Sequence, residues 1–249
     1  MTVLFGGQFE AEVFGDTWEW DGIFWTQVAD IGPKSRVGHT LSYDTVRRRC
    51  VLFGGIAGGT LADTWAWDGS YWIQLAGPGP AGRSYHATAF DSVRKRLVLF
   101  GGLEQGGGLR RDTWEHDGLE WVQVDDAGPA PRSSHCMAFD SVAEKVLLFG
   151  GDTVSGAASD TWAWDGERWV EVAHLGPSPR GGATWAGWGS ALVLHGGRTS
   201  SADAEGSVLA DTWQWTKGQW MQLQDFGPAA RGFHGLVTDG PRCIEHERC

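Results

Sequence analysis

The chain has 249 residues, of which 41% are hydrophobic and 20% are charged, and its formal net charge is −11. This composition is typical of a globular protein. The negative charge argues against nucleic-acid binding, because a polyanion would be repelled. No run of about 18 apolar residues is present, so no membrane-spanning helix is expected. The 38 glycines and 16 tryptophans favour a sheet protein with many tight turns.

The N-terminal stretch MTVLFGGQFE lacks a basic region followed by an apolar run, so no signal peptide is expected. The protein is then expected in the cytoplasm if the chain is complete, and outside it if the chain is a fragment. Cys50 and Cys136 lie in apolar, strand-like segments and are predicted to be buried thiols. Cys243 and Cys249 could form a disulfide in an oxidising compartment. The absence of any C-x-x-C pair excludes a zinc ribbon or a thioredoxin-type site.

One series of segments is repeated along the chain. It begins with LFGG (4–7), DTWEWDG (16–22) and an arginine four residues after a Gly-Pro pair. The aspartate of the DTW segment stands at Asp16, Asp63, Asp112, Asp160 and Asp211, and the arginine at Arg36, Arg83, Arg132, Arg180 and Arg231. Both series advance in steps of 47, 49, 48 and 51 residues. Two series of residues with identical spacing indicate one structural unit repeated five times.

Each unit contains four short strand-like runs bounded by Gly, Asp or Pro. In the second unit these are HTLSYD (39–44), CVLFGG (50–55), DTWAWDG (63–69) and YWIQLAG (71–77). We call them strands A, B, C and D. The Asp-Gly pair between C and D is typical of a tight hairpin. Four antiparallel strands in a unit of this length predict one blade of a β-propeller.

The sequence resembles the kelch-repeat family over essentially its whole length. The resemblance rests on the double glycine after strand B, the aromatic residues in strand C and the tryptophan that opens strand D. These strand D tryptophans are Trp25, Trp72, Trp121, Trp169 and Trp220. The resemblance implies an all-β fold, here a five-bladed β-propeller of four-stranded antiparallel blades. Kelch propellers usually have six or seven blades, and only five units are counted in this chain.

The two ends of the sequence complement each other. The chain opens inside a strand B, and RGFHGLVTDG (231–240) reads as a strand A. Residues 232–239 are therefore predicted to pair with residues 2–6 and close the ring, which would remove exposed sheet edges. The alternative is that the chain is a piece of a larger propeller. The predicted domain covers residues 1–241, followed by a tail at 242–249; its blades span 232–241 with 1–30, 36–77, 83–125, 132–173 and 180–224.

Fourteen of the 16 tryptophans occupy repeat positions. They could form an aromatic platform for sugars or pack neighbouring blades together. Recurrence in every unit favours packing, because a radial array needs bulky side chains between its sheets. Trp185 and Trp188 fall outside the pattern, in or beside the fourth complete strand A. Trp185 is therefore a candidate ligand contact.

The repeated arginines begin strand A and the repeated aspartates begin strand C, so both lie at one end of the propeller. The sequence favours Arg–Asp ion pairs that join the blades. The other interpretation is an arginine-lined mouth for an acidic ligand. In kelch-type ubiquitin-ligase adaptors, arginines at this position reach the binding pocket. By this resemblance the candidates for ligand binding are Arg36, Arg83, Arg132, Arg180 and Arg231.

Histidines follow the arginines by three residues in four units, at His39, His86, His135 and His234. A hydrogen-bonded structural role is favoured over a metal site, which needs convergent ligands. The B–C loops differ between units, as functional loops on repeat scaffolds do. Arg110, Arg111 and Arg198 in these loops are further candidates for ligand binding. The basic A–B turns at 47–49 and 94–96 are predicted to be solvated.

No nucleophile elbow, phosphate-cradling loop or metal-spacing motif is present. The leading hypothesis is a monomeric binding module that presents loops at the arginine end to a protein or glycan, without cofactor or metal. Nucleic-acid and membrane partners are not expected. Some kelch relatives are enzymes, and a mutarotase-like activity on an acidic sugar could use Glu104 with Arg110 or Arg111. A third hypothesis is a truncated or engineered scaffold without a ligand.

Overall fold

The computed structural model describes residues 1–199, 207–225 and 227–237. It contains 23 β-strands. No helix is found among these residues, and hence none that could cross a membrane. The expected all-β class is confirmed. Residues 238–239 of the predicted closing strand, the last two residues of the predicted domain (240–241), the tail at 242–249 and part of the last B–C loop lie outside the described ranges.

Each repeat forms one main antiparallel sheet among the described residues, and we call these five sheets blades 1 to 5. Their strands follow in chain order. Blade 1 contains β1 (Thr2–Phe9), β2 (Glu12–Trp20) and β3 (Trp25–Ala29), and blade 2 contains β4 (Thr40–Asp44), β5 (Arg49–Phe53), β6 (Thr64–Trp67) and β7 (Trp72–Leu75). Blade 3 contains β8 (Arg83–Ser84), β9 (Ala87–Asp91), β10 (Arg96–Glu104), β11 (Leu109–His116) and β12 (Trp121–Asp125).

Blade 4 is accompanied by a small sheet of two-residue strands. The small sheet comprises β13 (Arg132–Ser133), β16 (Asp152–Thr153) and β17 (Gly156–Ala157), and blade 4 comprises β14 (Cys136–Asp140), β15 (Lys145–Phe149), β18 (Thr161–Trp164) and β19 (Trp169–Ala173). Blade 5 comprises β20 (Thr184–Trp188), β21 (Ala191–His195), β22 (Thr212–Thr216) and β23 (Gln219–Gln224). The A strands β4, β9, β14 and β20 contact one another in sequence, so they line a common channel.

The hydrophobic core lies between neighbouring blades. Phe5 of blade 1, for example, packs with Leu52, Trp67 and Trp72 of blade 2. The predicted burial of the two strand thiols is confirmed, since Cys50 and Cys136 are buried and unpaired. Burial raises the pKa of Cys50 to about 11 and that of Cys136 to about 12.

The DTW segment is repeated because each of its residues makes one of the repeating contacts. The aspartate accepts a hydrogen bond from the indole of the tryptophan two residues later, as Asp63 does from Trp65 at 2.7 Å. The threonine accepts one from the strand D tryptophan of the next blade. These inter-blade hydrogen bonds join Trp72 to Thr17 (2.8 Å), Trp121 to Thr64 (3.0 Å), Trp169 to Thr113 (2.8 Å) and Trp220 to Thr161 (2.9 Å).

The double glycine after strand B permits a close approach between blades. Gly54 and Gly55 adopt φ values of 67° and 101°, which side chains rarely tolerate. A Cβ on Gly54 would lie 2.6 Å from the Arg83 carbonyl oxygen of blade 3. The backbone N–H of Gly55 donates to that same oxygen at 2.8 Å. The glycines therefore let the start of one blade rest directly on its neighbour.

The A–B turns are not merely solvated, contrary to the expectation from sequence. Arg47 donates to the carbonyl oxygen of Asp117, and Arg49 donates to that of Gly118 at 2.8 Å. In blade 3, Arg94 forms ion pairs with Asp91 and Glu115. Two of these turn arginines thus hold a neighbouring blade, and the third braces strands within its own.

Blade 1 departs from the pattern of the other blades. Its strand β1 pairs with β2 alone, and residues 231–237 form no strand beside it. The strand D residue Trp25 is 46% exposed, and its indole has no threonine partner among the described residues. Closure of the ring by residues 232–239, and with it the number of blades, stays a prediction.

Candidate functional site

A chain of four backbone hydrogen bonds runs along the channel at the end where the B–C and D–A loops lie, which we call the arginine end. Each bond joins residues that stand two positions after successive repeat arginines. Tyr85 donates to Gly38, Ser134 to Tyr85, Gly182 to Ser134 and Phe233 to Gly182, at 2.8, 2.7, 2.7 and 2.8 Å. All five residues have positive φ, and Tyr85, Ser134 and Phe233 lack the freedom of glycine. The turn after each of these arginines is thus held by a hydrogen bond to the corresponding turn of an adjacent blade.

A cavity of about 910 Å³ is lined by the residues of this chain of hydrogen bonds. Its walls include β1, four histidines, Tyr85 and Phe233. The rings of Tyr85 and Phe233 meet with centroids 5.8 Å apart. Phe233 is 54% exposed, so about half of this apolar side chain faces solvent at the mouth. Together these residues form the concave, partly aromatic surface that ligand sites commonly use.

The four histidines pack edge-on against the preceding blade. The ring of His39 lies 5.6 Å from that of Phe5, His86 lies 5.4 Å from Phe53, and His135 lies 5.6 Å from Phe100. These contacts agree with the structural role that the sequence favoured for the histidines. Packing contributes more than hydrogen bonding, because both ring nitrogens of His135 are buried without a hydrogen-bond partner. Within the described ranges, no three His, Cys, Asp or Glu side chains are grouped so as to hold a metal ion.

The histidines are neutral in the folded protein at neutral pH. Burial, reinforced by the nearby Arg36, lowers the pKa of His39 to about 4. Burial and Arg132 lower the pKa of His135 to about 3. Burial and the nearby Arg83 lower the pKa of His86 well below its ordinary value. The unfolded chain binds protons at these side chains near pH 6.5, whereas the folded chain does not.

We therefore expect stability to fall as the pH is lowered from about 6.5 to about 4, by up to roughly 1.4 kcal/mol per pH unit for each of these histidines. Urea denaturation at several pH values would measure this dependence. The variant His135→Phe keeps an aromatic ring against Phe100. Its free energy of unfolding should depend less steeply on pH, because it lacks the proton that His135 binds in the unfolded chain. An unchanged slope in this variant would show that His135 is protonated in the folded state.

Four of the five repeat arginines are buried in ion pairs with the aspartate of their own blade. Arg83 donates to both carboxylate oxygens of Asp112 at 2.7 and 2.8 Å and to the carbonyl oxygen of Gly101 at 2.9 Å. Burial alone would raise the pKa of Asp112, but the hydrogen bonds and charge of Arg83 lower it below its ordinary value. The same arrangement joins Arg36 to Asp63, Arg132 to Asp160 and Arg180 to Asp211.

These pairs correct two expectations from the sequence. They join segments within one blade, because each arginine contacts the aspartate that follows it in the same repeat rather than that of a neighbouring repeat. They also remove the guanidinium groups from the mouth, since the arginine side chains are at most 1% exposed. Arg36, Arg83, Arg132 and Arg180 therefore present no exposed guanidinium group to the cavity. Arg231 is exposed and pairs with no carboxylate among the described residues.

The three loop arginines remain near the surface. Arg110 pairs with Glu104, and the two side chains are 44% and 34% exposed. Arg111 donates to the carbonyl oxygen of Gly128 at 3.4 Å. Arg198 pairs with Asp152 at 2.9 Å, and its guanidinium carbon lies 5.3 Å from the centre of the Phe233 ring. Of the predicted site residues, Arg198 is therefore the one that contacts the aromatic mouth.

Trp185 is part of the core and not an exposed platform. It is 6% exposed and stacks on Trp220 with ring centroids 5.1 Å apart. Trp188, by contrast, is 62% exposed. Tyr85 and Phe233 were not among the residues predicted from the sequence, although the position two residues after the arginine varies from Gly to Ser, Tyr and Phe between units. Variation at one repeat position is the signal that could have identified the mouth.

Comparison with protein families agrees with this architecture. The model of the KLHDC2/KLHL20/DRC7 Kelch-repeats domain matches residues 70–244, well over half of the chain. No significant match is found among curated proteins. The sheets are consistent with a kelch propeller. They carry the repeated double glycine, the Arg–Asp pair and the tryptophans of strands C and D. The chain belongs to the kelch-repeat family.

Proposed function

We propose that this protein is a binding module that holds a protein ligand at the arginine end of the channel. The observation that carries the proposal is the cavity of about 910 Å³ with Tyr85 and Phe233 at its mouth. Its size lies within the range of roughly 300–1,000 Å³ that is common for ligand sites. Exposed aromatic rings are frequent anchors of protein interfaces. Kelch-repeat domains are protein-interaction modules, which agrees with this assignment.

A protein ligand is favoured over a glycan because the tryptophans are committed to packing. Most repeat tryptophans donate to an aspartate, a glutamate or a threonine within the sheets, as Trp164 does to Glu115 at 2.8 Å. The exposed Trp188 stands at the end of strand A that leads into the A–B turn, far along the blade from the mouth. The loop cations Arg110 and Arg198 are already neutralised by Glu104 and Asp152. An anionic sugar would have to displace these carboxylates.

The proposal predicts that peptides selected from a random library share one site at the mouth. Tyr85→Ala and Phe233→Ala should each weaken their binding by roughly tenfold or more, as removal of an interface anchor does. Tyr43→Ala is the matched control, because Tyr43 is 51% exposed at the opposite end of a strand A. Fluorescence anisotropy with a labelled peptide measures each affinity. Peptides that bind both mouth variants as tightly as the unaltered protein would place the site elsewhere.

A further inference from the structure

The A–B turns of blades 2 and 3 carry a concentration of positive charge on a chain whose formal net charge is −11. These turns contain RRR (47–49) and RKR (94–96). The corresponding turn of blade 4 reads AEK (143–145), and that of blade 5 is shortened to GS (189–190). The cations are therefore particular to two adjacent blades, and differences of this kind between repeats often mark functional positions.

The two basic turns stand side by side, at the end of the channel opposite the arginine end. The strands that lead into them, β4 and β9, contact each other, and the hydroxyl oxygens of Ser42 and Thr88 lie 2.7 Å apart. Arg49 of blade 2 crosses to blade 3, where it donates to the carbonyl oxygen of Gly118 at 2.8 Å. The positive charges of both turns thus belong to one continuous surface.

Only part of this charge is neutralised within the protein. Arg47 pairs with Asp44 at 3.0 Å, and Arg94 pairs with Asp91 and Glu115 at 2.8 and 2.6 Å. Within the described ranges, no carboxylate forms an ion pair with the remaining cations of the two turns, which are Arg48, Arg49, Lys95 and Arg96.

Arg48 and Lys95 have no packing role that would account for them. Both side chains are exposed, and neither makes a side-chain hydrogen bond in the part of the chain that the structure describes. Their backbones are left-handed, with φ values of 54° and 59°, a conformation that glycine adopts with less strain. A long cation thus occupies a position in each turn where the fold itself would favour a smaller residue.

The carboxylate of Asp117, near Arg96, is committed to its own turn. It accepts hydrogen bonds from two backbone N–H groups at 2.8 and 3.0 Å. These bonds, together with the charge of Arg96, lower the pKa of Asp117. Burial, and after it the charge of Arg49, lowers the pKa of the adjacent His116 to about 4 against the opposing effect of Asp117. The local field is therefore positive despite the neighbouring carboxylate.

We propose that this basic surface binds a short acidic segment of a partner protein that also carries apolar side chains. The unpaired cations match the carboxylates of such a segment. Val46 and Val93, which are 47% and 52% exposed on the same turns, provide apolar contacts between the charges. The inference goes beyond the proposed function, because it concerns the end of the channel opposite the aromatic mouth.

The charge of the whole chain favours a short segment over an extended polyanion. A membrane surface or a nucleic acid presents negative charge to much of the protein at once, and a chain of net charge −11 is repelled by it. A short acidic segment meets the basic surface alone.

The test uses a fluorescein-labelled peptide EEVEEVEEV, with QQVQQVQQV as its uncharged counterpart. Fluorescence anisotropy at low ionic strength should show saturable binding of the acidic peptide to the full chain, weakened by added NaCl, and no binding of the uncharged peptide. Arg48→Glu and Lys95→Glu should each weaken binding by roughly threefold or more, because each places a like charge against the peptide. Arg48→Gly suits the left-handed backbone and keeps the test valid if Arg48→Glu does not fold.

Lys217→Glu is the matched control, because Lys217 is an exposed lysine with a φ of 52° on the C–D turn of blade 5, at the same end of the channel. Its binding should be unchanged, and an equal loss in this variant would overturn the proposal, since net charge alone would then explain the effect. Absence of saturable binding would overturn it too. Tighter binding of phosphatidylserine vesicles or single-stranded DNA, lost in the same variants, would assign the surface to a membrane or a nucleic acid instead.

Tyr85→Ala separates this surface from the mouth. Binding of the acidic peptide should be the same in this variant as in the unaltered protein, so the two proposals can fail independently. A loss of binding in Tyr85→Ala would place the peptide at the mouth and contradict the assignment to the basic turns.

Discussion

Asp112→Ala is expected to lower the free energy of unfolding by about 3–5 kcal/mol, because it leaves a buried charge without its partner. The Arg83 side chain is 1% exposed. After the substitution, its guanidinium group would retain only the Gly101 carbonyl oxygen and its local contacts as hydrogen-bond acceptors. The indole of Trp114 would also lose its acceptor at 2.7 Å. Urea denaturation at pH 7 would measure the loss.

Asp16→Ala is the internal control for this experiment. Asp16 occupies the same repeat position, but among the described residues it receives a hydrogen bond from Trp18 and no ion pair from an arginine. Its replacement should cost about 1 kcal/mol, the usual contribution of one hydrogen bond. Similar losses in the two variants would mean that the buried pair contributes little beyond the Asp–Trp contact.

Trp164→Ala is the second substitution with a large expected effect, about 3–5 kcal/mol, as for other large truncations in protein cores. Trp164 is fully buried between blades 3 and 4 and donates to Glu115 at 2.8 Å. Removing it would leave a cavity beside Trp169, whose ring centroid lies 5.5 Å away. Thermal or urea unfolding followed by circular dichroism would measure the change.

Trp188→Ala supplies the comparison, because Trp188 is 62% exposed and lies outside the repeat pattern. Its replacement should change stability by about 0.5 kcal/mol or less, as is usual for surface positions. If both variants lost the same stability, the repeat tryptophans would not be the packing elements that their burial indicates.

The fold could be predicted because the repeat supplies the same information five times. The segment DTWAWDG at 63–69 was expected to be a strand and contains β6 (Thr64–Trp67). The position of the double glycine and of the strand D tryptophans followed in the same way. The predicted closing strand at 232–239 could not be checked by repetition, since it concerns the one junction without a second example.

The candidate site was harder to predict from the sequence than the fold was. Arg83 and Arg231 occupy the same repeat position, yet one is buried in an ion pair and the other is exposed. Sequence places an arginine and an aspartate at one end of a blade, but only the packing around them decides whether a ligand can reach the charge. Trp185 shows the same limit: its irregular position suggested a ligand contact, whereas it fills space beside Trp220.

The hydrogen bonds between strand D tryptophans and DTW threonines each join adjacent blades and never skip one. Such a molecule behaves as a linear array, in which the stability of each unit depends on its nearest neighbours. Blade 3 has such a hydrogen-bonded neighbour on both sides, whereas blades 1 and 5 each have one on a single side among the described residues. Amide hydrogen exchange is therefore expected to be slowest in β10 and fastest in β1 and β23, with unfolding spreading inward from the two terminal blades.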